Sequence, residues 1–198
     1  MISFILLLSA FAFGQEIIPI RPSDEKLIDS IGQLYLRTHQ VPGMGIGVIK
    51  NGKVLYSKGL GLKDKNTGEV VTAQTVFHMA SVSKPFVSTA ILQLVEQGKI
   101  QLPDLVTKHL PYFKMKDERF QSITVEQLLL HTAGIPDVGP SPNYEWDKPQ
   151  YDEQALERHV KSLATRELDF KPGRKKPAYT NNGYEVLGDL IAKASGMS

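Results

Sequence analysis

Apolar positions recur at helical spacing through most of the chain, whereas strand-like runs are confined to its first third. Ser23 is placed to cap a helix whose apolar positions Leu27, Ile28, Ile31, Leu34 and Tyr35 follow the helical period. Two strand-like runs come next, residues 43–50 and 53–60, joined by Asn51-Gly52. Both turn residues tolerate positive φ, so this dipeptide predicts a hairpin, packed on the helix. Gly43, Gly45 and Gly47 lie inside a strand, not between a strand and a helix. They therefore predict bare backbone against a neighbouring element, not a phosphate-binding loop. A further helix carries Val87, Ala90, Ile91, Leu94 and Val95, runs to about Gln97 and is followed by Gly98. Beyond the proline-punctuated residues 102–111, Thr124 and Gln127 are spaced for a capping box on a short helix ending at His131. Residues 136–150 hold Tyr144 and Trp146 without periodicity and read as a loop. Asp152 then begins a helix using Ala155, Leu156, Val160 and Leu163, and Tyr184, Val186, Leu187, Leu190, Ile191 and Ala194 form a last one stopping at Gly196. The order predicts an α+β fold whose sheet is incomplete, with no internal repeat and no linker between independent domains.

Candidate chemistry starts at Ser81-Val82-Ser83-Lys84. Residues three apart share a helix face, so Ser81 and Lys84 can touch if Ser81 occupies the first turn. A serine hydroxyl is a poor nucleophile until a base takes its proton, and a lysine amine does so when neutral, a form favoured by partial burial and by a helix N-terminus. The Ser81 N–H at such a terminus is a candidate oxyanion donor. Taken alone, the same four residues equally describe an N-cap serine and a solvated lysine.

The surrounding words decide between these readings. Phe77 to Phe86 (FHMASVSKPF), Leu128 to Ile135 (LLLHTAGI) and Phe170 to Tyr184, with Phe170-Lys171-Pro172-Gly173 and Tyr179-Thr180-Asn181, resemble three segments of the serine β-lactamase and penicillin-binding-protein superfamily, in its class C β-lactamase-like branch. Ala133 stands where that branch has serine. The resemblance implies a β-lactamase/transpeptidase-like fold, with an antiparallel sheet flanked by helices and a helical lobe covering Ser81. It also implies Ser81 as nucleophile, Lys84 and Tyr179 as the groups that move protons, and Asn181 as the residue holding the substrate amide and the lysine. His131 and His78 are assigned structural places, and the 136–150 loop is expected to overhang the site. The branch's third element, a K-T-G or H-x-G strand, has no match after Asn181. Residues 15–198 are therefore expected to be the N-terminal portion of the domain, with weak or no turnover alone. The alternative to an enzyme is a non-catalytic binding or scaffold member, or an inert fragment.

Composition narrows the partners. The chain has 198 residues with 23 basic and 21 acidic side chains. That balance gives no footprint for nucleic acid and suits a small-molecule or peptide substrate. Lys171, Arg174, Lys175 and Lys176 form a dense basic patch. It reads as a solvated loop or as steering for a carboxylate-bearing substrate. Absence of cysteine removes disulfides and thiolate sites, the histidines lack ligand spacing, and neither metal nor cofactor is expected. Residues 1–14 read as a signal peptide, an apolar run too short to span a bilayer comfortably, although no lysine or arginine precedes it. The chain is expected to be exported, periplasmic or secreted, and to meet a membrane only through an uncleaved signal.

Overall fold

A computed structural model describes residues 20–137 and 152–197, in two compact units divided in the chain between His78 and Met79. The predicted signal at 1–14 and all but the start of the 136–150 loop lie outside the described residues.

In the first unit, α1 (Pro22–His39) precedes the antiparallel strands β1 (Gly43–Lys50) and β2 (Lys53–Gly61). The hairpin forms as the sequence predicts, with positive φ at Asn51 (50°) and Gly52 (72°), and the register shifts between Val48 and Ile49, which face Tyr56 and Val54 and leave Leu55 of β2 without a partner in the register. The helix begins two residues earlier than expected. Arg21, not Ser23, is its N-cap, because the residue before a proline is driven to extended backbone and Pro22 fits the first helical position. The helix face that meets the hairpin also differs from the apolar stripe. Gly32 and Leu36 are buried, with the Leu60 and Ile46 side chains lying against the bare Cα of Gly32, and Asp29 accepts hydrogen bonds from Tyr56 and from Lys58 (2.7 Å). Leu27, Ile31, Leu34 and Tyr35 remain largely exposed. Gly43 and Gly45 do pack closely, against Leu62 and Phe77 respectively, while Gly47 faces open space.

The second unit is helical. A 3₁₀ turn, Ala80–Ser83, feeds α2 (Lys84–Glu96), followed by α3 (Val106–His109), α4 (Val125–Leu129), α5 (Ala155–Ser162) and α6 (Asn182–Ser195). Helix α6 touches α2, α3, α4 and α5, and its Val186, Leu187 and Leu190 are fully buried in a core shared with Ile91, Phe113, Leu128 and Val160. Each such apolar side chain contributes roughly 1.5–3 kcal/mol, which makes α6 the post around which the unit is built. The capping box forms, with the Gln127 N–H donating to Thr124 Oγ1 (3.2 Å) and the Thr124 N–H to Gln127 Oε1 (3.1 Å). Helix α5 starts at Ala155 rather than at Asp152, whose carboxylate instead accepts the Gln154 N–H (3.1 Å) and holds Arg158 (2.6 Å). Glu157 then ties α5 to α6, paired at 2.6 Å with both Lys161 and Lys193.

Candidate active site

Ser81 lies on the 3₁₀ turn that leads into α2, not on α2 itself. The expected meeting with Lys84 survives this shift because side chains three apart eclipse one another on a 3₁₀ helix. Lys84 Nζ donates to Ser81 Oγ at 3.4 Å. Ala80, just before the serine, has φ 44°, a left-handed conformation that costs a non-glycine residue on the order of 1 kcal/mol. The turn is held by the Val82 N–H donating to Met79 O (3.0 Å).

The second and third motif segments converge because their backbones are zipped together. The N–H groups of Asp169, Gly173 and Ala178 donate to the carbonyls of Gly134 (2.9 Å), Thr132 (2.9 Å) and His131 (2.8 Å). Gly134 has φ 83°, and a Cβ there would collide with the Phe170 carbonyl, so glycine is required on two counts. Next along, the Thr180 N–H donates to His131 Nδ1 (3.2 Å), which assigns the neutral ring its proton on Nε2. The His131 ring lies between the rings of Tyr179 (4.8 Å between centroids) and Tyr184 (5.0 Å). Tyr184 is itself fixed by Ser88 (3.0 Å) and by donation to Leu129 O (3.2 Å). A histidine at a turn is thus the wedge that sets the attitude of Tyr179.

All four site residues read from the sequence come together. The oxygens of Ser81 and Tyr179 share a hydrogen bond of 2.6 Å, and Lys84 Nζ donates to Asn181 Oδ1 at 2.7 Å. Tyr179 OH reaches the same Asn181 oxygen at 3.3 Å, and Lys84 Nζ lies 4.7 Å from the centre of the Tyr179 ring and 5.6 Å from that of Tyr184. Lys84 first and the Ser81 hydroxyl second hold the Tyr179 phenol below its ordinary value, with burial and Asp137 opposing weakly. Tyr179 is 52% exposed, so solvent reaches it. Burial, then Lys84, keeps His131 below the usual imidazole range, consistent with the neutral tautomer above.

Two further residues of this site escape the sequence reading. Asp137 accepts the Asn181 N–H (2.7 Å) and the Asn181 side-chain Nδ2–H (3.4 Å). Its only sequence signal is being the one carboxylate at the end of the Leu128–Asp137 stretch. Glu185, one turn into α6, is pushed by burial up to about 7 and has His159 Nε2 at 3.2 Å. It lies within the helical period of α6 without being apolar, a pattern that periodicity does not separate from a solvated position. Ala133 is buried in the helical core, so that departure from the family word falls in packing rather than among the polar groups. In the basic patch, Arg174 is folded back on its own loop, donating to Lys176 O (2.9 Å) and stacking 4.5 Å from the Phe170 ring. Among the described residues, no three His, Asp or Glu side chains cluster as metal ligands, and no helix is long and apolar enough to cross a membrane.

Comparison with known proteins gives a consistent result. The family model described as Beta-lactamase matches residues 25–198. The chain is 34% identical over 175 residues to Protein flp of Staphylococcus aureus, covering 88% of this chain and 34% of that protein. It is 30% identical over 181 residues to Esterase EstB of Burkholderia gladioli, covering 85% of this chain and 45% of that one. Among solved structures, the octameric penicillin-binding protein homologue from Pyrococcus abyssi superposes with a TM-score of 0.66 at 31% identity, over 88% of this chain and 40% of that one. The chain therefore has the β-lactamase/transpeptidase-like fold and spans a third to a half of the length of these relatives.

Proposed function

Because the chain belongs to the Beta-lactamase family, we propose that it is a serine hydrolase that acts by acyl transfer on an amide or ester bond, with Ser81 as the nucleophile. The observation that carries this reading is the 2.6 Å hydrogen bond between Ser81 Oγ and a Tyr179 phenol drawn down by Lys84. Of the two candidate bases, Tyr179 is favoured. Its oxygen is nearer to Ser81 than the Lys84 nitrogen, at 2.6 against 3.4 Å. Lys84 also donates to Asn181 and sits over two tyrosine rings, contacts that suit an ammonium.

In the forward step Tyr179 takes the Ser81 proton as Oγ attacks the substrate carbonyl, forming the C–O bond and an oxyanion to which the Ser81 N–H would donate. Tyr179 returns the proton to the leaving nitrogen or oxygen as its bond to carbon breaks, and the acyl group stays on Ser81. Water then attacks the acyl carbon as the phenolate takes its proton, the bond from that carbon to Ser81 Oγ breaks, and the phenol hands the proton to Oγ as the carboxylic acid leaves. Lys84 balances the phenolate throughout, and Asn181 holds Lys84 and receives the substrate amide. Substrates of this chemistry include β-lactams, D-alanyl peptides and small esters, and the relative named an esterase favours an ester as first probe. Lys171, Arg174, Lys175 and Lys176 would steer a substrate carboxylate, and residues 1–14 would export the chain to the periplasm or beyond.

The test is to treat the protein with a fluorophosphonate and map the adduct by mass spectrometry. The expected adduct is on Ser81 and disappears in Ser81→Ala. A folded protein that takes no label at Ser81 contradicts the reading and favours a binding role.

A further inference from the structure

We infer that Asp137 is a positioning residue: its carboxylate fixes which end of the Asn181 amide faces Lys84. The geometry stands by itself, and its consequence for rate rests on the acyl-transfer reading above. A side-chain amide has an accepting end and a donating end of nearly equal shape, so packing alone does not orient it. Lys84 Nζ, a donor, is 2.7 Å from Asn181 Oδ1 and requires the accepting end. On the other side both Asp137 carboxylate oxygens accept. Its Oδ1 takes the Asn181 backbone N–H at 2.7 Å and its Oδ2 takes Nδ2–H at 3.4 Å. Rotating the amide by half a turn would set oxygen against carboxylate and NH₂ against ammonium, losing both contacts.

Asp137 is itself held in position. Asn182, the first residue of α6, is buried and donates from Nδ2 to Pro136 O at 2.7 Å, clamping the peptide that carries Asp137. The Asp137 side chain is exposed, so its substitution removes no core packing. No periodic pattern marks this residue, yet two hydrogen bonds in series connect it to the amine beside the nucleophile: Asp137 to Asn181, and Asn181 to Lys84.

The test compares Asp137→Asn, Asp137→Glu and Asn181→Ala, singly and with Asp137→Asn combined with Asn181→Ala, by the rate of Ser81 labelling with a fluorophosphonate. An asparagine at 137 has one acceptor for two donors, so labelling should slow roughly tenfold, the effect of one lost hydrogen bond. Thermal unfolding should be unchanged, and Asp137→Glu, with both acceptors, should recover part of the rate. In the Asn181→Ala background the Asp137→Asn change should add little, since the amide it orients is gone. Equal slowing in both backgrounds would assign Asp137 to loop anchoring and overturn the inference, as would wild-type labelling by Asp137→Asn. If the wild-type protein takes no label, the acyl-transfer reading fails, and hydrogen exchange of the Asn181 side-chain amide by NMR decides the positioning instead. Slow exchange in the wild type and fast exchange in Asp137→Asn supports it, and equal exchange overturns it.

Discussion

At Glu185, burial and charge pull in opposite directions. Burial raises its carboxyl from 4.5 to about 7, Asp137 adds to the rise, and Lys84 works against it. His159 faces it at 3.2 Å and is itself held low by burial, so near neutrality neither partner is forced to carry charge. The folded state therefore binds the Glu185 proton more tightly than the unfolded chain does. Its contribution to stability is fully present below about 4.5 and is lost as pH rises through about 7. His159 contributes with the opposite slope, being destabilising as pH falls through its lowered value. Glu185→Gln isolates the first effect. Denaturant titrations should find the variant near wild type at pH 4.5 and more stable above pH 7 by on the order of 1–3 kcal/mol; a constant difference across that range would mean that Glu185 ionises as a solvated carboxyl. Glu185 and Asp137 were not legible in the sequence because a carboxylate leaves the same mark whether solvated or buried. Ser81, Lys84, Tyr179 and Asn181 were legible because their words are long and occur in order.

At the scale of elements, the site depends on the ladder between residues 131–134 and 169–178 more than on any one helix. Three backbone hydrogen bonds and the His131 ring carry Tyr179 to the Ser81 turn. Gly134→Ala should disrupt that ladder, through its φ of 83° and the collision with Phe170, and cost roughly 1–3 kcal/mol of stability with loss of Ser81 labelling. A variant with wild-type melting temperature would show that the segment relaxes freely. Elements with local chemical punctuation were read correctly: the Asn51-Gly52 hairpin, the Thr124–Gln127 box and the stop of α6 at Gly196. The misplacements have local causes. Pro22 displaced Ser23 as the start of α1, and Asp152 served a turn instead of the first residue of α5. The Ser81 turn was likewise read as helix, because three-residue spacing is common to both helix types.

Over the whole molecule, the two units differ in how much of their apolar surface they bury. The helical unit encloses its core around α6, whereas the first unit leaves Leu27, Ile31 and Leu34 of α1 and Ile49 and Val54 of the hairpin exposed. Among the described residues the sheet has two strands, and the chain covers 34% of Protein flp. Hydrophobic periodicity identified α1 as a helix but carried no information on which face the hairpin takes, because Gly32 and Asp29, rather than the apolar stripe, make that contact. The four candidate site residues nonetheless lie within one unit: Ser81, Lys84, Tyr179 and Asn181 all follow Met79. The central claim is that the phenol of Tyr179 takes the proton of Ser81, and the most direct measurement is the pH dependence of fluorophosphonate labelling at Ser81 in wild type and in Tyr179→Phe. The wild-type rate should rise with pH to a plateau, with its midpoint below the ordinary phenol value of 10.0. The folded Phe variant should lose that rise and react about a hundredfold or more slowly. Labelling of Tyr179→Phe at the wild-type rate, with the same pH profile, would contradict the account.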